Sequence, residues 1–247
     1  MKSSRIVLAA VALLCAVAGT FAIVAPSSAA PGRTATAKPK VGQCRDLTAA
    51  QGDPMANNSP TVPCSSPHTT YTFAVPNLAR GVDAKHLSAA KFLTAGVDAC
   101  TPRWHKFLGR SWGIEDQTMF SYMFFAPTKA QRAHGARWVR CDLILQSGGD
   151  INVLPAAHRP LLQGPLSNSV RRCRNQGGVY VTCDQTHVTR TAAFFNVMSK
   201  KRPTPTQFIR LGEKNCPVGD RAFFGWPNKY NWALGDRAEV CYRHTTS

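Results

Sequence analysis

The chain has 247 residues, 44% of them hydrophobic, which is enough for the core of one large domain or two small ones. Its 30 Lys and Arg residues against 13 Asp and Glu residues give a formal net charge of +17. The apolar content excludes a highly charged disordered chain, and 18 glycines with 17 prolines are too few for a collagen-like or low-complexity protein.

The N-terminal segment 1–30 has the pattern of an export signal. Lys2 and Arg5 precede an uncharged stretch, residues 6–25, and small residues follow it. We therefore predict a signal peptide that is cleaved after Ala30. The alternative is an uncleaved N-terminal anchor, because about twenty apolar residues can span a bilayer.

Residues 31–41 are rich in Pro, Ala, Thr and Lys and are predicted to form a flexible basic arm. Of the nine cysteines, all but Cys15 follow this arm, which leaves an even number. An even number behind an export signal predicts disulfides and an extracytoplasmic, secreted or membrane-anchored protein. A zinc site needs close pairs such as Cys-x-x-Cys, which the sequence lacks, so we expect neither a metal nor another cofactor.

Strands and helices alternate through residues 42–146. Apolar residues at helical spacing predict a helix from Leu87 to Cys100, and Thr101-Pro102 has the form of an N-cap that opens a second helical turn through Leu108. The other elements predicted here are strands over 69–75, 119–126 and 136–146, and a short helix over 128–134 that ends at Gly135.

Residues 147–165 contain Gly148-Gly149 and three prolines and are predicted to be a linker. The part that follows, 166–247, repeats the same order of elements. Its predicted strands cover 188–197, 221–226 and 237–244, and its predicted helices lie near 206–215 and 229–234.

The two parts also share sequence. Residues 124–141 align without a gap with residues 224–241, and Phe, Pro, Lys, Ala, Gly, Arg and Cys recur in them. A second match joins the Val-x-Cys-x-x-x-His segments 62–68 and 181–187. We therefore predict an α+β protein made of two tandem copies of a small, disulfide-stapled β-α-β-α-β unit.

The cysteines divide four and four between the two copies, in the same order. If each copy closes its own bridges, three pairings remain open in each. Each bridge would stabilise the fold by about 2–4 kcal/mol, mainly by restricting the unfolded chain. We predict that the first cysteine of a copy pairs with its second and the third with its fourth: Cys44–Cys64, Cys100–Cys141, Cys173–Cys183 and Cys216–Cys241.

Four spaced motifs form a recognisable set: Val41-Gly42-x-Cys44, Val62-Pro63-Cys64-Ser65-x-Pro67-His68, Gly135-x-Arg137-Trp138-Val139-Arg140-Cys141-Asp142 and Trp232-x-x-Gly235-Asp236-Arg237-x-x-x-Cys241. Over roughly residues 41–247 the chain resembles the septum formation domain family. The resemblance implies an exported or membrane-anchored envelope protein of high-GC Gram-positive bacteria, associated with cell division, whose family pattern carries no recognised catalytic group.

Two patterns could indicate a hydrolase of cell-wall polymers. Residues 109–113 match the G-x-S-x-G nucleophile elbow with Ser111 as nucleophile, but an elbow needs a preceding strand, whereas a helical turn is predicted there. A glycosidase needs two facing carboxylates, which sequence cannot demonstrate. The scattered acids considered are Glu115, Asp116, Asp142 and Asp150. We predict a protein without enzymatic activity and keep the hydrolase as the alternative.

His68 and His187 hold equivalent places after a cysteine in the two copies. They are candidate ligand contacts. The favoured interpretation is a turn residue whose ring bonds nearby backbone, because no carboxylate or second histidine stands close in sequence to activate either ring. Trp226, Tyr230 and Trp232 could likewise stack on sugars, but packing of their helix on the sheet is favoured.

Positive charge is the most informative functional signal, and it is concentrated in the second copy, with 13 basic and 5 acidic residues. Outside the cell its natural partners are anionic wall polymers or lipid surfaces, so we expect no nucleic-acid partner. The alternatives are a surface that serves solubility alone and a structural module that docks on membrane division proteins. The candidate binding residues are Arg171, Arg172, Arg174, Lys200, Lys201 and Arg202.

Overall fold

The computed structural model describes residues 37–109, 111–155, 162, 165–217 and 223–245. The predicted export signal, 1–30, and most of the predicted basic arm, 31–41, lie outside the described residues. Within the described part of the chain, no helix is both long and apolar enough to cross a membrane. The fold combines helices with two curled antiparallel sheets, as the α+β prediction requires.

The first half of the described chain, up to Asn152, builds the first sheet. Its strands are ordered β1-β2-β4-β3, with β5 added as a hairpin on β4. The strands are β1 (Cys44–Arg45), β2 (Thr70–Ala74), β3 (Phe120–Phe125), β4 (Arg140–Ser147) and β5 (Asp150–Asn152). The helices are α1 (Ala49–Gly52), α2 (Ala89–Leu108), α3 (Trp112–Glu115) and α4 (Lys129–Ala133).

The second half, from Arg171 onward, builds the second sheet, ordered β7-β6-β8-β10-β9. Its strands are β6 (Arg172–Arg174), β7 (Tyr180–Thr182), β8 (Thr189–Asn196), β9 (Phe223–Gly225) and β10 (Ala238–His244). Its helices are α5 (Pro205–Asn215) and α6 (Lys229–Ala233). The path β6-β8-β10-β9 has the same order of strands as β1-β2-β4-β3.

The four disulfides are those that the cysteine order predicts. Two of them tie a short strand to a loop: Cys44–Cys64 starts from β1 and Cys173–Cys183 from β6. The other two tie the end or middle of a long helix to a strand inside the sheet. Cys100–Cys141 joins α2 to β4, which lies next to β3, and Cys216–Cys241 joins the C-cap of α5 to β10, which lies next to β9. The predicted pairing is therefore confirmed.

Strand register is the same around these cysteines in both sheets. The central cysteine of each sheet pairs with an alanine on one side and a phenylalanine on the other: Cys141 with Ala74 and Phe124, and Cys241 with Ala193 and Phe224. A one-residue bulge leaves Phe73 unpaired in β2 and Ala192 unpaired in β8, each directly before that alanine.

A glycine sets the distance between helix and sheet in each half. Gly96 of α2 lies against the Phe124 ring, and Gly212 of α5 lies against the Phe224 ring. A Cβ atom at either glycine would overlap the ring, so both helices approach their sheets more closely than any other residue would allow. Each glycine precedes its bridged cysteine by about one helical turn.

The prediction of two separate helical segments before β3 is wrong, because α2 continues without a break from Ala89 to Leu108. Pro102 lies inside it, and Thr101 donates its hydroxyl to the Val97 carbonyl at 2.9 Å instead of capping a new helix. An internal proline costs about 3 kcal/mol. Trp104 and Leu108, which follow Pro102 in the helix, are buried, and their burial offsets that cost.

The linker prediction for 147–165 is wrong at its start. Ser147 ends β4, and residues 150–152 return along it as β5 after a turn in which Gly148 and Gly149 have φ of 66° and 96°. The short strands β1, β6 and β7 are also missing from the predicted elements. Strands of two or three residues are too short to show an alternating pattern.

Candidate functional site

The predicted arginine cluster 171–174 uses its side chains inside the protein. All three side chains are half-buried. Arg174 donates its Nε to the Gly178 carbonyl at 2.7 Å and lies 4.8 Å from the centre of the Phe223 ring. Arg171 donates to two backbone carbonyls at 3.1 and 3.2 Å. These guanidinium groups therefore hold the fold together as well as carrying charge.

Arg172 is the member of this cluster that reaches across to the first half. Its backbone N–H donates to the Gln117 carbonyl at 2.7 Å, and its Nε donates to the Thr118 carbonyl at 3.0 Å. The backbone of Arg171 forms an isolated β-bridge with Thr118. The two halves are thus joined by main-chain hydrogen bonds at this seam, which runs along residues 117–119 and 170–172.

The second predicted basic cluster, 200–202, divides into two kinds of residue. Lys200 and Lys201 are exposed. Arg202 instead donates through Nε and Nη2 to the Pro227 carbonyl, at 3.0 and 2.9 Å, and lies over the Phe208 ring. The two lysines are therefore the members of this cluster that can meet a ligand without breaking internal contacts.

His68 and His187 are both buried, with 2% and 5% of their surface exposed. The Nδ1 atom of each lies 2.7 Å from a carbonyl oxygen two residues earlier, that of Ser66 or of Gln185. This geometry is that of a ring fixed in a turn.

One group of possible metal ligands occurs in the described part of the chain: the His187 ring and the sulfurs of Cys173 and Cys183 lie within 4.8 Å of one another. The two sulfurs are bonded to each other. A disulfide offers no thiolate, so this group lacks the anionic sulfur that a zinc site requires.

The segment around Ser111 does not have the geometry of a nucleophile elbow. Helix α2 ends in Gly109, whose φ is 71°, and Ser111 is the N-cap of α3, so the segment joins two helices. Of the acids considered, Asp142 is buried and paired with Arg140 at 2.7 Å, and Asp150 is exposed on β5. Neither arrangement is that of a catalytic carboxyl in a cleft.

Glu115 and Asp116 do lie in a cleft, of about 180 Å³, between the two halves. Aromatic side chains from both halves form much of its wall: Trp104, Trp112, Tyr122 and Tyr230. Its polar groups include His105 of α2 and Arg172 of β6. The cleft therefore combines acidic, basic and aromatic groups that are far apart in sequence.

The position of α3 brings the two acids to this cleft. Gly113 of α3 lies against the Phe194 ring of β8, where a Cβ atom would overlap the ring. The short helix can therefore rest directly on the second sheet. Glu115, in its last turn, is 5% exposed, and Asp116 follows as the C-cap.

Glu115 forms the shortest polar contact in the cleft: its Oε2 lies 2.5 Å from Nδ1 of His105. The His105 ring packs on Trp112, with ring centres 3.8 Å apart. The other carboxylate oxygen of Glu115, Oε1, is buried and has no hydrogen-bond partner among the described residues. The described residues therefore do not satisfy both oxygens of this carboxylate.

The electrostatics of the cleft are set by burial and by a third acid. Burial, with the nearby Asp236 carboxylate adding to it, raises the pKa of Asp116 to about 7. Burial also raises the pKa of Asp236 to about 6. Arg172 and His105 oppose the shift at Asp116. Asp116 is therefore partly protonated near neutral pH, and Asp236 becomes so when the pH falls slightly.

Sequence reasoning missed Asp236. The alignment of residues 224–241 with residues 124–141 contained a signal for it, because Asp236 stands where the first half has the buried Ala136. Glu239 shows the same kind of departure, since it stands where the first half has Val139. Glu239 is fully buried under Gly212, and both its carboxylate oxygens lack partners among the described residues.

The three aromatic residues near α6 have different roles. Trp226 stacks on Phe208 with ring centres 5.3 Å apart, and Trp232 packs edge-on against the same ring. These two tryptophans therefore belong to the core of the second half. Tyr230 is 46% exposed and lines the cleft instead.

Comparison with known proteins gives one result. A family model described as Septum formation matches residues 41–232, which is most of the chain. No curated protein and no solved structure gives a significant match. The four disulfides are consistent with the extracytoplasmic location predicted for the chain. The chain belongs to the Septum formation family.

Proposed function

We propose that the protein is a non-enzymatic envelope protein of septum formation and cell division that binds anionic cell-wall polymer through exposed basic residues of its second half. Family membership suggests the role in cell division. The observation that carries the ligand class is the exposed, unpaired charge of that half, in particular Lys200 and Lys201.

The way the arginines are bound supports this proposal. Arg171, Arg174 and Arg202 donate to backbone carbonyls and, in two cases, lie over aromatic rings. Carbonyls and rings hold a guanidinium in place without neutralising it. Among the described residues, the ion pair that involves a Lys or Arg side chain is Arg140–Asp142 in the first half. The second half therefore keeps a positive field that attracts polyanions.

Helix α5 extends the basic surface beyond the loop that carries the two lysines. Arg210 and Lys214 are both exposed, and their spacing of one helical turn places them on one side of the helix. A repeating phosphate polymer can contact several such groups at once, so weak individual contacts add up. Binding of this kind weakens as salt screens the charges.

The test is retention of the protein on purified cell wall at increasing salt. We expect retention at low salt, release at high salt, and a clear loss for the double variant Lys200→Ala, Lys201→Ala. The matched control is Lys85→Ala, Lys91→Ala, which removes the same charge from exposed sites of the first half. Absence of retention at low salt, or retention that salt does not change, would contradict the proposal.

We infer further that the two halves are copies of one ancestral module. The inference is supported by the shared strand order, the bulges at Phe73 and Ala192, and the matched disulfides. The glycine contacts of Gly96 and Gly212 add independent support, because they had no part in the sequence alignment. The halves differ at some aligned positions, such as Ala136 and Asp236.

A further inference from the structure

Another cavity, of about 410 Å³, lies where β7 meets the turn between β4 and β5. We propose that it is a binding site for a neutral saccharide, with the ring of Tyr180 as the stacking surface and with Gln146 and Arg172 as hydrogen-bonding partners. The proposal goes beyond the proposed function and does not depend on it, because that function concerns exposed lysines and an anionic polymer.

The side chains at the mouth of this cavity are open to a ligand. Tyr180 is 41% exposed and Val179 is 45% exposed, and Gln146 is exposed as well. Arg172 is half-buried beside Tyr180, with its guanidinium carbon 5.7 Å from the centre of the ring. A sugar that packs on Tyr180 therefore meets an aromatic surface for its C–H groups and polar side chains for its hydroxyl groups.

Contacts within the protein hold the walls of the cavity in place. The Gly148 N–H donates to the Tyr180 carbonyl at 3.0 Å, and the Thr182 N–H donates to the Ser147 hydroxyl, also at 3.0 Å. The Tyr180 ring also packs near the buried ring of Tyr242, with ring centres 6.3 Å apart. Because these contacts form without a ligand, binding has little chain to order.

Polar groups of the cavity remain available to a ligand. The Gln146 side chain forms no hydrogen bond with the residues that the structure describes, so its amide can both donate and accept. Arg172 uses its Nε for the Thr118 carbonyl, and a guanidinium has further N–H donors on its two Nη atoms. These groups can bind hydroxyl and carbonyl oxygens of a sugar.

The charges around the cavity favour a neutral ligand. Of its described lining residues, Arg172 carries a positive charge and none is an acid. The same arginine also lines the neighbouring cleft, where it faces Glu115 and Asp116 and acts on the Asp116 carboxyl. Because acids on one side of the guanidinium offset its charge, the cavity attracts neither anions nor cations strongly.

The size of the cavity fits a small molecule. Its volume of about 410 Å³ lies within the roughly 300–1,000 Å³ of pockets that bind small ligands. The exposed Val179 gives an apolar edge beside the amide of Gln146. An acetamido group, which has a methyl at one end and an amide at the other, suits this pair.

The cavity is built from elements that the two halves do not share. Among the described residues, β5 and the turn before it have no counterpart in the second sheet. Strand β7 covers three residues in the second half, whereas the first half has a single β-bridge at Val62 in its place. The packing that both halves have in common therefore does not require this cavity.

The experiment is a calorimetric titration of the disulfide-intact protein with N,N′-diacetylchitobiose and with sorbitol, in high salt. Both probes are neutral and rich in hydroxyl groups, but sorbitol has no ring. High salt screens the exposed lysines, so the result is separate from retention on cell wall. We expect the disaccharide to bind at least about tenfold more tightly than sorbitol. Equal binding of both, or binding of neither by folded protein, would overturn the proposal.

Variants at Tyr180 test the stacking. Tyr180→Phe keeps the ring and should bind the disaccharide as the natural protein does. Tyr180→Val keeps a strand-forming side chain but removes the ring, and it should weaken binding about tenfold. Equal affinity of the two variants would contradict stacking on Tyr180. Near-ultraviolet circular dichroism establishes that each variant is folded.

Variants at glutamine positions test the polar contact independently of the ring. Gln146→Ala should weaken disaccharide binding several-fold, because it removes a hydrogen-bonding amide from the cavity. Gln176→Ala, which removes the same group from an exposed site between β6 and β7, is the matched control and should bind normally. Equal affinity of these two variants would contradict the placement of the saccharide beside Gln146.

Discussion

Gly113 lies against the ring of Phe194, and this contact is where a helix of the first half meets a strand of the second. The space between the Gly113 Cα and the Phe194 ring holds the hydrogen of glycine but no Cβ atom. Because Glu115 and Asp116 follow directly, the same contact sets where both acids stand in the cleft. The packing of Gly113 on Phe194 thus links the contact between the two halves to the positions of Glu115 and Asp116.

The variant Gly113→Ala should destabilise the protein by about 1–3 kcal/mol, because its added methyl group overlaps the Phe194 ring and forces α3 off the second sheet. Denaturant unfolding followed by circular dichroism measures the change. Gly177→Ala is the matched control, since the nearest atom to a Cβ there is 3.4 Å away. Equal stability of the two variants would show that the contact with Phe194 is not tight.

Replacing Glu239 by valine, the residue that the first half has at the aligned position, should stabilise the protein. Burial raises the pKa of Glu239 to about 8 from its ordinary 4.5. When the pKa of an acid is higher in the folded than in the unfolded state, the free energy of unfolding of the protein falls as pH rises between the two values. For Glu239 this fall amounts to about 3 kcal/mol by neutral pH. Unfolding of the natural protein and of Glu239→Val should therefore differ more at pH 8 than at pH 5.

Glu239→Gln separates ionisation from polarity in that experiment. The amide cannot ionise, so its stability should not show this fall with pH, although it remains a buried polar group without partners. If the natural protein and Glu239→Gln show the same dependence on pH, Glu239 does not titrate in the range predicted from its burial.

The two kinds of disulfide should differ in their effect on stability. Cys100–Cys141 closes a separation of 41 residues and Cys173–Cys183 one of 10 residues. In the chain-entropy description, removing the longer bridge by alanine substitution should cost about 1 kcal/mol more than removing the shorter one, within losses of about 2–4 kcal/mol each. Thermal unfolding of the two double variants measures the difference, and a larger loss from Cys173→Ala, Cys183→Ala would contradict it.

Mass spectrometry of the exported protein under non-reducing conditions should find Pro31 as the first residue and no free thiol. The first result is expected from the small residues that precede it, and the second from the four bridges. A mass that includes residues 1–30 would show instead that the apolar segment stays as an anchor.

Incubation with purified cell wall should release no soluble fragments, because Ser111 lies between two helices and Asp142 is held by Arg140. Ser111→Ala and Asp116→Asn serve as controls for any release that is seen. Digestion that Asp116→Asn abolishes would favour the hydrolase alternative and assign the cleft acids to it.

The longer elements could be predicted because they have enough residues to show a period. Strand β8 and helix α5 were found within one or two residues of their observed ends. The short helix α4 was found from the glycine that follows it, Gly135, which has positive φ. Thr128, which the prediction counted as helical, is its N-cap. The disulfides followed from the repeated order of the cysteines.

The cleft could not be predicted, because it depends on how the two halves pack. Nothing in the local sequence of Glu115 shows that Tyr230 will stand across from it. The continuity of α2 through Pro102 was missed for a related reason, since the local signal for a break is overridden by burial of Trp104 against the sheet. Tertiary packing decided both features.

The arginines of the second half are held by carbonyl oxygens and ring faces, and such contacts do not depend on a counter-charge that added ions could replace. Concentrated electrolyte should therefore strip a bound polyanion from this surface without loosening the surface itself. In the proposed function, the protein would release the wall polymer as salt rises and bind it again, with its arginine contacts intact, as salt falls.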